Sequence, residues 1–261
     1  MPIKQIIEST PCVWEKLKAA KKPVMLYGMG DGAQKILNAC ALCGVKISEI
    51  FASDGFVRSQ EFCGYTVRDF SYIEQNYGDF IILLGFGSSR PEVLQRFYSL
   101  NDRYDLYAPD VPLIPESEND LFTGDYARAH LCELEPAHCL FCDELSRVVF
   151  ESVLEFKLSG KIDCLRRCET PREEMFQIIK PCGDEFYIDL GAYNGDTVLE
   201  FLSEAHGAKK IIAVEPDRKN FKKLCRNLAD VPNIFAVNAP VWSGEALLPI
   251  SGGASRGSAV K

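Results

Sequence analysis

The chain has 261 residues, 47% of them hydrophobic, enough for one large or two ordinary domains with buried cores. Its net charge of -8 argues against general attraction to nucleic acid or to an anionic membrane surface. No apolar run reaches the length of a membrane span, and the charged, amphipathic N-terminus lacks a signal core, so a cytoplasmic location is expected.

That N-terminal stretch reads as one leading helix. Pro23 to Tyr27 makes a short buried strand, and Gly28-Met29-Gly30-Asp31-Gly32-Ala33 follows at once. A helix from Gln34 to Cys43 ends at Gly44, and a strand from Lys46 to Phe51 leads to Asp54, 21 residues after Ala33. This is the Gly-x-Gly-x-x-Ala dinucleotide fingerprint in its required setting, with a strand before it, a helix after it and an acid at the end of the next strand. Gly28, Gly30, Ala33 and Asp54 are therefore candidates for a nucleotide, nucleotide-sugar or dinucleotide site. The alternative is a Rossmann shell that serves only in recognition or docking.

Phe62 to Val67 reads as a peripheral loop and short strand, Asp69 to Tyr77 as a helix, Phe80 to Phe86 as a buried strand and Arg90 to Leu100 as a helix. Pro109, Pro112 and Pro115 then break regular structure ahead of the acidic Glu116 to Asp120, which places the end of a first domain at residue 118. Residues 119–182 read as a helical connector. Its clearest piece is Cys139 to Ser159, apolar at three- and four-residue steps, with Gly160 suited to the stop and Asp143, Glu144, Arg147, Glu151 and Lys157 on a solvated face. Thr170-Pro171-Arg172-Glu173 has the form of a helix start with Thr170 as cap.

Of the eleven cysteines, Cys40, Cys43, Cys142 and Cys225 sit in apolar periodic segments, where a thiol in a reducing cytosol behaves as a small hydrophobe. Cys139-x2-Cys142, near Cys132 and His138, has zinc-ligand spacing. A zinc site needs a second, converging knuckle, and with Cys142 on the apolar face of a helix no metal is expected.

Residues 183–261 form the third segment. Glu185 to Leu190 is β-prone and apolar, as suits a strand covered on both faces, and it stops at Gly191. Gly191-Ala192-Tyr193-Asn194-Gly195-Asp196-Thr197 then leads into the helical spacing of Val198 to Leu202. A loop at a helix N-terminus presents unpartnered N–H groups and a favourable dipole to a carboxylate or phosphate. A second strand, Lys210 to Val214, delivers Glu215 to its carboxyl end 20 residues after Gly195, where an acid can accept hydrogen bonds from both hydroxyls of a ribose. Lys219 to Ala229 reads as a helix, and Asn233 to Val237 and Ala246 to Ile250 as strands. The fold class is α/β, two Rossmann-like parallel-sheet units joined by a helical segment, with the second sheet incomplete at Lys261 as in a truncated chain.

DLGAYNGDT followed by VEPD resembles the nucleotide-binding core of S-adenosylmethionine-dependent methyltransferases, and the FkbM family in particular. The resemblance implies that Asp189, Gly191, Ala192, Tyr193, Asn194, Gly195 and Asp196 surround the methionyl part of S-adenosylmethionine and that Glu215 holds its ribose. Tyr193 stands where many methyltransferases outside that family have glycine. Asn238 to Ser243 lies near the adenine in the family, and the acceptor implied is a hydroxyl on a sugar or a secondary metabolite. The catalytic base is not identifiable from these residues. The rival readings are a nucleotide-sugar or NAD-dependent enzyme working from the first fingerprint, or a non-catalytic nucleotide-binding protein.

Overall fold

The computed structural model describes residues 2–57, 60–112, 117–244, 250–251 and 259–260. It divides into two units, Met1–Glu169 and Thr170–Lys261. The leading segment of the first unit forms two helices rather than one, α1 (Ile3–Ser9) and α2 (Val13–Lys18). Pro11 lies between them, and it restricts Thr10 before it to extended backbone at φ -93, ψ 113.

Strand β1 (Val24–Tyr27) shows why this unit is doubly wound. Val24 and Leu26 enter one core with Val13, Leu17, Ile36 and Cys40, whereas Met25 and Tyr27 enter a second with Phe51, Phe70, Ile82 and Phe97. A strand buried on both faces is apolar throughout, as this one is. It is followed by α3 (Asp31–Leu42), β2 (Ile47–Ala52), β3 (Glu61–Phe62), β4 (Tyr65–Asp69), α4 (Phe70–Asn76), β5 (Ile81–Leu84), α5 (Pro91–Asn101) and β6 (Asp105–Tyr107). The sheet order is β3-β4-β2-β1-β5-β6, parallel except for β3. The expected loop around Phe62 is thus half of a hairpin, turned by Cys63 and Gly64 at φ 51 and φ 81. Because the chain builds outward from β1 on one side and then crosses to β5, the topological switch point lies between those two strands.

Helices α6 (Gly124–Ala129), α7 (Leu131–Cys139), α8 (Glu144–Ser159) and α9 (Ile162–Arg166) belong to the same compact unit. The single helix expected from Cys139 is interrupted: α8 starts at Glu144 because the Asp143 carboxylate accepts from the Ser146 amide at 2.8 Å and caps it. Cys142 therefore lies outside the helix and is exposed, not on an apolar face, and Cys225 is exposed as well. Gly160 does stop α8, in left-handed backbone at φ 65, and its carbonyl accepts from the Ala108 amide at 2.7 Å, tying α8 to the chain just past β6. Ile3, Ile6 and Ile7 of α1 pack with Ala127, Leu154 and Leu158 in a separate core.

The second unit begins with α10 (Arg172–Ile179). Its N-cap is Pro171, with no side-chain cap, so Thr170 does not take the role its sequence position suggests. Next come β7 (Phe186–Leu190), α11 (Asp196–Ala205), β8 (Lys210–Val214), α12 (Arg218–Asn227) and β9 (Ile234–Val237), and the three strands form a parallel sheet in that order. Val198, Leu202, Phe221, Leu224 and Leu228 pack one face of the sheet against Tyr187, Ile211, Ala213 and Ile234. On the other face Phe186, Ile188 and Leu190 are 71%, 57% and 60% exposed. The expectation that β7 is covered on both sides is therefore corrected, since α11 and α12 lie on the same side. A two-residue antiparallel pair, β10 (Ile250–Ser251) with β11 (Ala259–Val260), completes the described chain. Apart from Ile250, the strand expected over 246–250 lies outside the described residues. No helix among the described residues is long and apolar enough to cross a membrane.

Candidate functional site

At the carboxyl edge of the second sheet, β7 and β8 end side by side, and the loop after β7 folds back on β8. The amides of Gly191 and Ala192 both donate to the Val214 carbonyl, at 2.8 and 2.9 Å, and Gly195 closes a turn by donating to the Ala192 carbonyl at 2.7 Å. Three of five successive residues take left-handed backbone: Gly191 at φ 92, Tyr193 at φ 47 and Gly195 at φ 88. The two glycines are needed for different reasons. A Cβ on Gly195 would stand 2.9 Å from Leu228 Cγ, whereas one on Gly191 would meet nothing within 4 Å. Gly191 therefore borders open space, and Gly195 is a packing position.

Glu215 is only 5% exposed and has no cationic partner among the described residues. Its Oε2 accepts from the Tyr193 amide and its Oε1 from the Asp217 amide, each at 2.9 Å. One lone pair on each oxygen is left for a further donor. Asp189, at the end of β7, accepts from the Thr197 hydroxyl. The amides that open α11 are partly satisfied from within: Asp196 N donates to Asn194 Oδ1 at 3.3 Å and Thr197 N to Asp196 Oδ1 at 3.1 Å. This corrects the expectation of a wholly unpartnered helix start. The structure thus gathers Asp189, Gly191, Ala192, Tyr193, Asn194, Gly195, Asp196 and Glu215 at one edge of one sheet.

Sequence reasoning missed the contacts that brace this edge. Asn227, at the end of α12, donates to the Asn194 carbonyl at 2.8 Å. Asn238, after β9, donates to the carbonyls of Glu215 and Pro216 at 2.8 and 3.1 Å. An asparagine 33 positions from its partner carries no local sequence signal.

In the first unit the fingerprint is built as expected, and its surroundings are not. Gly28, at φ 120, donates its amide to the Phe51 carbonyl at 2.9 Å. Ala33 packs so closely on the chain just past β5 that a Cβ on Gly85 would lie 2.8 Å from its own, and Gly30 is open, with nothing within 4 Å. Phe86 occupies the switch point: its ring would be 2.8 Å from a Cβ at Gly28, and it meets Tyr27 edge-on at 5.1 Å. Asp54 turns its carboxylate to the start of α4, accepting from the amides of Phe70 and Ser71 at 2.9 and 3.3 Å and from the Ser71 hydroxyl at 3.0 Å. Burial pushes this carboxyl up, but those hydrogen bonds and the Arg96 guanidinium outweigh it and hold it below its ordinary value.

No protein-family model matches the chain, and no curated protein matches its sequence. Among solved structures, the crystal structure of methyltransferase FkbM from Methylobacillus flagellatus KT is similar, with a TM-score of 0.58 and 14% identity over 96% of this chain and 69% of that one. The chain has an FkbM-like methyltransferase fold. At this level of identity the likeness speaks for architecture. Within the FkbM-like fold, the α/β organisation of both sheets agrees with the sequence reading, and the edge built from Gly191 to Asp196 and Glu215 follows β7 and β8 of the smaller sheet.

Proposed function

We propose that the chain binds S-adenosylmethionine at the carboxyl edge of the second sheet and transfers its methyl group to a hydroxyl of a sugar or other small metabolite. The observation that carries this reading is the state of Glu215, a buried carboxylate fixed by two backbone amides with one lone pair on each oxygen still unused. An acid held this way is preorganised to accept from two adjacent hydroxyls, which is what a ribose offers. The open space over Gly191 supports placing the methionyl part against the loop from Asp189 to Asp196.

The cofactor, when bound, supplies an already activated methyl group on a sulfonium. The chain's own residues have a positioning task. The loop carbonyl of Asn194 is fixed by Asn227, and the Glu215–Pro216 turn is fixed by Asn238, so ligand binding need not order either segment. We place the cofactor here rather than on the first sheet because Asp54 is engaged at α4 and Phe86 lies over Gly28.

Calorimetric titration of S-adenosylhomocysteine tests the assignment. Replacing Glu215 by Gln converts one acceptor oxygen into a donor, and affinity should fall by about ten- to a hundredfold, as for loss of a charged hydrogen-bond acceptor. Equal affinity in the two proteins would remove the ribose assignment. In the rival reading, NADH binds the first sheet and Gly30→Trp abolishes that binding.

A further inference from the structure

At the opposite, amino edge of the first sheet lies a cleft of about 400 Å³, within the size range of small-molecule sites. It is bordered by the end of α2, the turn between α3 and β2, and the starts of β1 and β2. Its apolar lining includes Leu17, Val24 and Val45, all buried. Four lysines, Lys18, Lys21, Lys22 and Lys46, also line it, and no carboxylate does. In a chain of net charge -8 this is a locally cationic hollow.

Lys22 is held by two carboxylates, Asp79 and Asp105, at 2.8 and 2.9 Å, and so contributes no free positive charge. Lys21 and Lys46 form no ion pair among the described residues. A simpler account has the lysines offsetting the carbonyl ends of α2 and α3. Each such end carries only about half a negative charge, whereas Lys21 and Lys46 alone bring two full positive ones. That account also leaves the backbone unexplained. Val24 pairs with Ile47 but Met25 pairs with Glu49, so Ser48 is an extra residue in β2. Bulges are rare between parallel strands and re-aim side chains. Ser48 lines this cleft, and its hydroxyl has no hydrogen-bond partner among the described residues.

We propose that the cleft is a binding site for a small phosphate monoester, its phosphate held by Lys21, Lys46 and the Ser48 hydroxyl and its apolar body set against Leu17, Val24 and Val45. This cleft belongs to the first unit and the cofactor edge to the second. Calorimetry on the whole chain at fixed ionic strength tests it, with phenyl phosphate as probe, inorganic phosphate as the head alone and benzoate as the carboxylate counterpart. Phenyl phosphate should bind saturably and more tightly than either. Lys21→Glu and Lys46→Glu should each weaken it about tenfold or more, and Ser48→Ala about threefold, in keeping with lost charge-assisted and neutral hydrogen bonds. Glu215→Gln should leave this binding unchanged. Unaltered affinity in both lysine variants, a non-saturating response, or equal binding of benzoate would each overturn the proposal.

Discussion

Glu215 and Tyr193, 22 residues apart in the chain, are joined by one hydrogen bond from the Tyr193 amide to Glu215 Oε2 at 2.9 Å. That contact holds a non-glycine residue in left-handed backbone at φ 47, a conformation that costs about 1–2 kcal/mol for an L-residue. The same acid serves as loop clasp and as ligand acceptor, so its two roles have separable consequences. In Glu215→Ala the amides of Tyr193 and Asp217 lose a buried acceptor, which should destabilise the loop by about 2–3 kcal/mol. Hydrogen exchange at those two amides should accelerate accordingly, with no ligand present. Unchanged protection would show that the clasp does not exist in solution.

The two glycines of the loop should respond unequally to alanine. Gly191→Ala meets only the backbone cost of φ 92, about 1–2 kcal/mol. Gly195→Ala meets a similar cost at φ 88 and also drives a methyl group against Leu228, adding about 1–3 kcal/mol of overpacking. Denaturant unfolding of the two variants should rank Gly195→Ala as the less stable. Ligand affinity should distinguish them the other way, because the methyl group at Gly191 projects into the open space proposed for the cofactor.

Both glycine loops were legible in the sequence because strand, turn glycines, helix and acid follow one another within a few tens of residues, and each step is a local preference. What depended on distant partners was not legible. Asp54 stands where the fingerprint places it, yet its carboxylate is claimed by α4, a helix that begins 16 residues later. The Asn227 brace and the bare face of β7 are likewise set by where α11 and α12 pack. The break before α8 was readable in principle, since Asp143 three residues ahead of Ser146 is a capping pattern, but the apolar periodicity running back through Phe141 masked it.

Cysteine reactivity should follow burial rather than sequence periodicity. Burial, with a smaller effect of Cys43, pushes the Cys40 thiol up to about 12, so almost none is thiolate at pH 8. Cys63, Cys132, Cys139, Cys142, Cys182 and Cys225 are exposed. Brief iodoacetamide treatment of the native protein at pH 8 should modify these six and spare Cys40, as read by peptide mass spectrometry. Early labelling of Cys40, or protection of Cys142 and Cys225, would contradict the fold as described.

The depressed carboxyl of Asp54 makes a signed prediction about acid stability. A carboxyl whose folded pKa is lowered favours the folded state fully above its unfolded value of about 3.9, and that contribution is lost as pH falls through the lower folded value. Asp54→Asn removes the titration and weakens the cap on α4. The parent should therefore melt at a higher temperature than Asp54→Asn at pH 6, and the gap should narrow progressively below about pH 4. A gap that stays constant down to pH 2 would mean that the variant acts through shape alone and that the charge on Asp54 contributes nothing to α4. If Asp54 instead waited for a ribose hydroxyl, with α4 indifferent to it, the two proteins would melt together at every pH and differ only when NADH is added.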